Sequence, residues 1–189
     1  MVLTETPVCA SGQKIIPFSL LNTDGKEYKL TELMGPHGTV VMFICNHCPY
    51  VKAIFPRLIA DAKALKQSGI YCIAINSNDA SAYPEDSFDN MQRLAEQLEL
   101  PFPYLWDESQ TVAQAYGAVC TPDFFGYNVA GELQYRGRLD ASKREAAAKD
   151  APHELLEAML LVAKTGRGPE QQIPSMGCSI KWKNFDLSL

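Results

Sequence analysis

The chain has 189 residues, of which 47% are hydrophobic and 21% are charged, and its formal net charge is −5. This length and composition suit one globular domain spanning residues 1–189, and the negative charge argues against nucleic-acid binding, which requires a basic face. No secretory signal or membrane-spanning apolar run is visible, so we expect a cytoplasmic protein with no membrane partner. We therefore expect its six cysteines to be mostly reduced thiols.

The N-terminal part of the chain carries the pattern of a β-hairpin. Residues 1–14 lack hydrophobic periodicity and are predicted to form a loose arm. The run Ile15–Leu21 predicts an edge strand, Asn22–Gly25 predicts a turn, and Lys26–Leu30 predicts a returning strand. One helical turn is expected at Thr31–Met34 before the central part of the chain.

The central pattern is an apolar run that ends at two cysteines. The uncharged segment Val40–Ile44 is rich in β-branched and aromatic residues, which predicts a strand buried on both faces. After Cys48, apolar residues recur at three- and four-residue steps as far as Leu65, which predicts a helix beginning near Pro49. Cys45 and Cys48 therefore lie where a strand meets a helix N-terminus, whose free N–H groups stabilise a thiolate.

A second strand and helix follow in the same order. Ile70–Ile75 is again fully apolar, so two parallel strands joined by a helix are predicted. The polar loop Asn76–Glu85 leaves the end of this strand where ligands commonly bind, although ordinary loop and capping roles are favoured for it. Asp86–Leu98 predicts an amphipathic helix.

The C-terminal part combines a hairpin with a last helix. Ser109–Tyr116 predicts a short helix, and Asp123–Asn128 with Glu132–Arg138 predicts an antiparallel hairpin. Glu145–Lys164 carries the final amphipathic pattern. The tail, residues 166–189, is too apolar for a disordered end, so we expect it to pack back on the domain.

A C-x-x-C pair is either a redox dithiol or half of a zinc site. A structural zinc site usually takes four ligands, and the sequence has neither a second such pair nor a histidine at finger spacing. The position between strand and helix favours a dithiol in which one thiolate attacks a disulfide and the other resolves the mixed disulfide. We expect an exposed Cys45 to attack and a buried Cys48 to resolve.

Two further elements surround this pair in the sequence. His47 either lowers the pKa of Cys45 or is a solvated residue with no electronic role, and both readings stay open. Pro122 enters a strand after Thr121, and the residues alone favour a trans bond because cis is the minority form.

The order of these elements resembles the thioredoxin fold, an α/β fold with a central mixed sheet flanked by helices. The N-terminal hairpin and the inserted helix make the chain similar to the peroxiredoxin-like branch, the alkyl hydroperoxide reductase/thiol-specific antioxidant redoxins. The segments FICNHCPYV, YPEDS, AVCTPDFF and GCSIKWK resemble an uncharacterised bacterial thioredoxin-family group with a CNHC motif. The resemblance implies that Pro122 is cis and that Thr121 presents its backbone to a substrate chain beside Cys45, with Asn46 and His47 as supporting residues.

The sequence departs from these families at two points. The usual Trp-Cys-Gly-Pro-Cys motif is Ile-Cys-Asn-His-Cys, so the tryptophan before the first cysteine is missing. A peroxiredoxin has threonine three residues before its reactive cysteine, whereas Met42 stands three residues before Cys45, and Cys45 before Cys48. Efficient peroxide reduction is therefore not expected from this motif.

These observations predict a thiol-disulfide oxidoreductase that uses no cofactor. Its partners would be a disulfide-bearing protein or small thiol and an upstream dithiol or thiol reductant; nothing in the sequence specifies an oligomeric state. Two alternatives stay open: a copper or zinc module using Cys45, Cys48 and His47, with Cys120 as an optional further ligand, and a thiol peroxidase with antioxidant activity. Cys120 and Cys178 are possible extra redox cysteines. We expect Cys120 near the dithiol but favour a packed thiol, and we expect the tail to bring Cys178 to Cys120 or to the C-x-x-C pair.

Overall fold

The computed structural model describes residues 3–183 of the chain. Its elements in chain order are β1 Leu3–Glu5, β2 Ser19–Asn22, β3 Glu27–Lys29, α1 Leu30–Leu33, β4 Gly38–Phe43, α2 Pro49–Gln67, β5 Ile70–Asn76, a 3-10 turn Pro84–Asp86, α3 Phe88–Gln97, β6 Tyr104–Trp106, α4 Thr111–Tyr116, β7 Cys120–Thr121, β8 Asp123–Tyr127, β9 Leu133–Tyr135, α5 Glu154–Thr165 and β10 Met176–Ser179. Among these residues no helix is long and apolar enough to cross a membrane.

The main sheet is mixed and has the strand order β3-β2-β6-β5-β4-β8-β9. β4 lies inside the sheet, parallel to β5 as the βαβ pattern predicts and antiparallel to β8. The predicted hairpin is the antiparallel pair β8 and β9. Successive side chains of a strand point to opposite faces, and those of β4 join two cores. Val40 and Met42 pack with the side chains of α2 and α5, whereas Val41 and Phe43 pack on the other face. The apolar run is therefore uninterrupted because both faces of β4 are covered.

A second, three-stranded sheet has the order β1-β10-β7. The C-terminal tail packs back on the body, because β10 pairs with β7 in the register Cys178 to Thr121. The prediction of a loose N-terminal arm over residues 1–14 is wrong for β1, where Leu3 pairs with Cys178. The arm becomes a strand because the free edge of β10 offers unpaired backbone groups that β1 satisfies.

The last helix begins at Glu154 rather than at the predicted Glu145. Pro152 disfavours the helical conformation at the residue before it. The carbonyls of Ala148 and Ala151 are also engaged elsewhere, since each accepts a hydrogen bond of 2.8 Å from the Arg57 guanidinium. These contacts hold residues 141–153 as an irregular segment against α2.

Candidate active site

Cys45 and Cys48 lie in the short segment that joins β4 to α2. Pro49 is the first residue of α2 and Cys48 is its N-cap, so the predicted junction between strand and helix is present. Both cysteine side chains are fully buried. The prediction of an exposed Cys45 is therefore wrong, because β7, β10 and the 3-10 turn all pack against the motif. None of these contacts follows from the local sequence pattern.

Thr121 and Pro122 lie directly beside the two sulfurs, joined by a cis peptide bond as the resemblance implied. The Thr121 hydroxyl is 3.3 Å from Cys45 Sγ. Cys48 Sγ lies 3.2 Å from the Thr121 carbonyl oxygen. Pro122 lines a cavity of about 130 Å³ with Tyr50 and other residues. Thr121 thus contacts both cysteines through different atoms.

The two additional cysteines occupy different positions relative to this pair. Cys178 Sγ, on β10, lies 3.0 Å from Cys48 Sγ. The tail therefore brings Cys178 to the C-x-x-C pair, one of the two placements expected from the sequence. Cys120 Sγ instead contacts the carbonyl of Pro122 at 3.5 Å, and burial raises the pKa of this thiol. Cys120 has the surroundings of a packed thiol.

The pKa values of the two motif cysteines are shifted in opposite directions. Burial, followed by the hydrogen bond to Cys48 and the negative charge of Asp86, raises the pKa of Cys45. The hydrogen bond from Cys45 lowers the pKa of Cys48 to about 4, and hydrogen bonds from Cys178 and the Val51 backbone act in the same direction. The two thiols are therefore coupled, and these contacts favour the thiolate at Cys48 over the thiolate at Cys45. The sequence had placed the low-pKa thiol at Cys45; the N–H groups of α2 instead reach Cys48.

A buried carboxylate, Asp86, binds the two middle residues of the motif. His47 Nδ1 lies 2.6 Å from one Asp86 oxygen, and the Asn46 N–H donates to the other at 2.7 Å. Asn78 donates a third hydrogen bond of 2.7 Å. Burial raises the pKa of Asp86, but the hydrogen bonds from His47 and Asn78 outweigh it and leave the pKa below its usual value. Asp86 in turn raises the pKa of His47, so the two form an ion pair, and the reading of His47 as a solvated residue is wrong.

The side chains of the motif are held by further contacts. Asn46 accepts a hydrogen bond of 2.9 Å from the Tyr104 hydroxyl and donates one of 2.8 Å to the Glu85 carbonyl. The His47 ring stacks on Tyr83, with 5.4 Å between centroids and 9° between planes. Asn46 and His47, which were assigned supporting positions, are thus both fixed by neighbouring side chains.

Sequence reasoning missed Asp86, Tyr83 and Tyr104 as members of this site. Asp86 was assigned only as the first residue of a predicted helix. The segment YPEDS, which contains both Tyr83 and Asp86, was noted for its family resemblance and was the available signal. Asn78, for which a loop role was favoured, accepts the Lys181 N–H at 2.9 Å and so links the tail to Asp86.

Three residues of the site could ligate a metal ion. Cys45, His47 and Asp86 each offer one ligand atom, and these atoms lie within 4.8 Å of one another. Sulfur, imidazole nitrogen and carboxylate oxygen are all ligands that zinc accepts. A metal bound through His47 Nδ1 would have to replace the present 2.6 Å contact with Asp86.

Comparison with known proteins places this geometry among the redoxins. Residues 11–137 match the model of the AhpC/TSA family. A thiol-disulfide oxidoreductase ResA from Geobacillus thermodenitrificans is 25% identical over 138 residues, which are 69% of this chain and 71% of the relative. The crystal structure of an uncharacterised conserved protein from Geobacillus kaustophilus is 45% identical, covers 97% of this chain and 98% of its own, and has a TM-score of 0.90.

The fold itself is shared with a more distant protein. The thioredoxin domain of a thiol-disulfide oxidoreductase from Bacteroides vulgatus aligns with a TM-score of 0.57 at 15% identity, over 68% of this chain and 89% of that domain. At this identity the similarity concerns the fold alone. The chain therefore has the thioredoxin fold, and its sequence relative carries the name of a thiol-disulfide oxidoreductase.

Proposed function

The chain belongs to the AhpC/TSA family, and we propose that it is a thiol-disulfide oxidoreductase whose Cys45 and Cys48 exchange disulfides with a protein or small-thiol partner. The observation that carries this proposal is the pair itself. Two sulfurs lie at the N-terminus of α2, and both contact Thr121. Disulfide exchange requires a thiolate, and the hydrogen bonds that lower the pKa of Cys48 favour one in this pair.

The proposed reaction passes two electrons from the dithiol to the substrate. Cys45 attacks one sulfur of the substrate disulfide while the Cys48 thiolate takes its proton, and the other substrate sulfur leaves as a thiolate. That thiolate takes the proton back from Cys48. The Cys48 thiolate then attacks the Cys45 sulfur, so that the Cys45–Cys48 disulfide forms and the second substrate sulfur leaves as a thiolate, which takes a proton from water. An upstream dithiol or small thiol reduces the disulfide again.

The surrounding residues have positioning roles in this proposal. The Thr121 hydroxyl, 3.3 Å from Cys45 Sγ, holds the attacking sulfur in place. Asp86 binds the backbone of Asn46 and the ring of His47, so the residues between the two cysteines keep one conformation. Asn46, His47, Thr121 and Pro122 are thus assigned to support, and Cys45 and Cys48 to chemistry.

The test is disulfide reduction by single-cysteine variants. We expect Cys45→Ser and Cys48→Ser to lower the rate of insulin reduction, with dithiothreitol as reductant, by at least about 10²-fold. Cys9→Ser is the matched control, because Cys9 lies outside the site near Ser11 and should retain the wild-type rate. Wild-type rates in both site variants, or no reduction by the wild-type protein, would overturn the proposal.

Metal binding is a second candidate function, favoured by the close approach of Cys45, His47 and Asp86. It is tested by metal analysis of protein purified without a histidine tag. Stoichiometric zinc or copper that is lost in Cys45→Ser and in Asp86→Asn would favour this function. Peroxidase activity has less support, since the position three residues before Cys45 is Met42, which is buried in β4 and has no hydroxyl.

A further inference from the structure

Strand β10 covers the part of β7 that lies next to the dithiol. Cys178 pairs with Thr121 and Ser179 with Cys120 in an antiparallel register. The family resemblance assigned the Thr121 backbone to a bound substrate chain. In this structure that edge is occupied by the chain's own C-terminal strand, which places a cysteine side chain against the motif.

β10 places the sulfur of Cys178 close enough to Cys48 for disulfide exchange. This sulfur lies 3.0 Å from Cys48 Sγ, compared with about 2.05 Å in a disulfide, so an approach of about 1 Å would bring the two sulfurs to bonding distance. β10 is held from both sides, by β1 and by β7, which keeps Cys178 opposite Thr121. Cys48 is thus the middle one of three neighbouring cysteines.

We propose that Cys178 is a third redox cysteine. It displaces Cys45 from the Cys45–Cys48 disulfide and forms a Cys48–Cys178 disulfide. This inference rests on the proposed function, because the Cys45–Cys48 disulfide is its starting point. It adds a step in which the Cys45–Cys48 disulfide is exchanged for a Cys48–Cys178 disulfide, and the substrate-reacting Cys45 becomes a free thiol again.

The step is an internal thiol–disulfide exchange with no net oxidation. The Cys178 thiolate attacks the Cys48 sulfur, the Cys48–Cys178 bond forms, and the Cys45–Cys48 bond breaks with Cys45 leaving as a thiolate. The proton released by Cys178 passes to Cys45. The upstream thiol reductant named above then reduces the Cys48–Cys178 disulfide, and the three thiols are restored.

Oxidation of Cys48 removes a contribution that raises the pKa of Cys178, and this favours the thiolate that attacks in this step. Burial raises the pKa of Cys178 to about 12, and the hydrogen bond and negative charge of Cys48 contribute to the rise. Once Cys48 is part of a disulfide, its charge is gone and that contribution disappears. The positive charges of Lys181 and Arg144, which lower the pKa of Cys178, remain.

Cys120 provides a matched control from the same small sheet. It is as fully buried as Cys48 and lies one residue from Thr121. Its sulfur, however, is directed to the Pro122 carbonyl at 3.5 Å rather than to a cysteine. Cys120 and Cys178 therefore both lie on strands of this sheet next to the dithiol, whereas the direct sulfur contact belongs to Cys178.

The test maps disulfides in Cys45→Ser after oxidation by oxidised glutathione. The protein is quenched in acid, alkylated under denaturing conditions, digested without reduction and analysed by mass spectrometry. We expect one linked Cys48–Cys178 peptide per chain, formed by attack of Cys48 on glutathione disulfide and resolution by Cys178. The same linkage should form in Cys45→Ser/Cys120→Ser. In Cys45→Ser/Cys178→Ser, Cys48 should stay glutathionylated.

Complete alkylation of Cys178 in oxidised Cys45→Ser, or a Cys48–Cys120 linkage there, would overturn the inference. If the variant does not fold, the wild-type protein is oxidised and mapped instead. We then expect a linked Cys48–Cys178 peptide together with alkylated Cys45. A map that contains only the Cys45–Cys48 linkage would contradict the inference. The insulin assay reports separately on the proposed function, since the linkage can form in a protein that reduces no insulin, and insulin reduction can proceed without the linkage.

Discussion

Two histidine–aspartate pairs of equal length lie in different parts of the molecule and have different surroundings. His47 Nδ1 is 2.6 Å from Asp86 in the candidate site, and His153 Nδ1 is 2.6 Å from Asp61, which belongs to α2. Asp86 also binds the Asn46 N–H and the Asn78 amide, and its pKa is lowered. Burial raises the pKa of Asp61, whose Oδ2 has no hydrogen-bond partner among residues 3–183.

The difference teaches that a short distance does not by itself identify a functional ion pair. The Asp86 carboxylate receives enough donors to stay ionised in the interior, and it fixes the two residues between Cys45 and Cys48. The Asp61 carboxylate receives one donor and connects α2 to His153, the residue before α5. The first pair fixes the residues between Cys45 and Cys48, whereas the second connects α2 with the residue before α5.

The largest expected effect is on insulin reduction, which substitution of Asp86 should lower and substitution of Asp61 should not. Asp86→Asn should lower kcat/KM for insulin reduction by about tenfold or more, because a displaced motif no longer aligns the sulfurs. Asp61→Asn is the matched variant and should stay within about twofold, since it touches no motif residue. As a readout independent of folding, NMR titration should show a lower His47 pKa in Asp86→Asn and an unchanged one in Asp61→Asn. Equal losses of activity in both variants would contradict the distinction.

The pH dependence of stability should differ between the pairs. The raised pKa of His47 adds stability below its unfolded value of 6.5 that is lost as pH rises through the folded pKa. The lowered pKa of Asp86 adds stability above its unfolded value of 3.8 that is lost as pH falls through the folded pKa. Asp86→Asn should therefore be most destabilising between these two values, by about 1–3 kcal/mol for the buried groups left unpaired.

Asp61 should show the opposite sign in the same urea-unfolding measurements. Its pKa is raised in the folded protein, so the wild type loses stability as pH rises past the unfolded value of 3.8. The free energy of unfolding of Asp61→Asn relative to wild type should then increase with pH over this range. If the free energies of unfolding of the two variants, relative to wild type, change with pH in the same direction, the pKa values of Asp86 and Asp61 are not shifted in opposite directions.

The smallest expected effect concerns the ring that covers His47. Tyr83→Leu removes the stacked contact with His47 and should lower the free energy of unfolding by about 0.5–1.5 kcal/mol. Tyr71→Leu is the control, because Tyr71 has the same exposure of 37%. That variant should change stability by less than about 0.5 kcal/mol. Among the described residues no ring contact involves His153. The measurement therefore also tests whether the stacked Tyr83 ring makes the His47–Asp86 pair more stable than it would be without that ring. Equal effects of the two tyrosine variants would show that the stacking contributes nothing.

The main elements of the fold could be predicted because their signals are local. The central strand, the C-x-x-C junction, the parallel β5 and the β8–β9 hairpin follow from apolar runs, helical periodicity and turn residues. The errors arose where distant segments decide the outcome. The N-terminal arm became β1 through pairing with β10, and Arg57 of α2 holds the segment before α5 through its backbone carbonyls.

The sequence by itself determined that Cys45 and Cys48 lie between a buried strand and a helix, since the apolar run and the first-turn Pro49 act over a few residues. Tertiary structure alone decided that the pKa values of the two thiols shift in opposite directions, which carboxylate binds the motif and which further cysteine reaches it. Asp86 is 39 residues from His47 in sequence, and Cys178 is 130 residues from Cys48. No local pattern specifies contacts at such separations, because they depend on how the 3-10 turn and β10 pack over the end of β4.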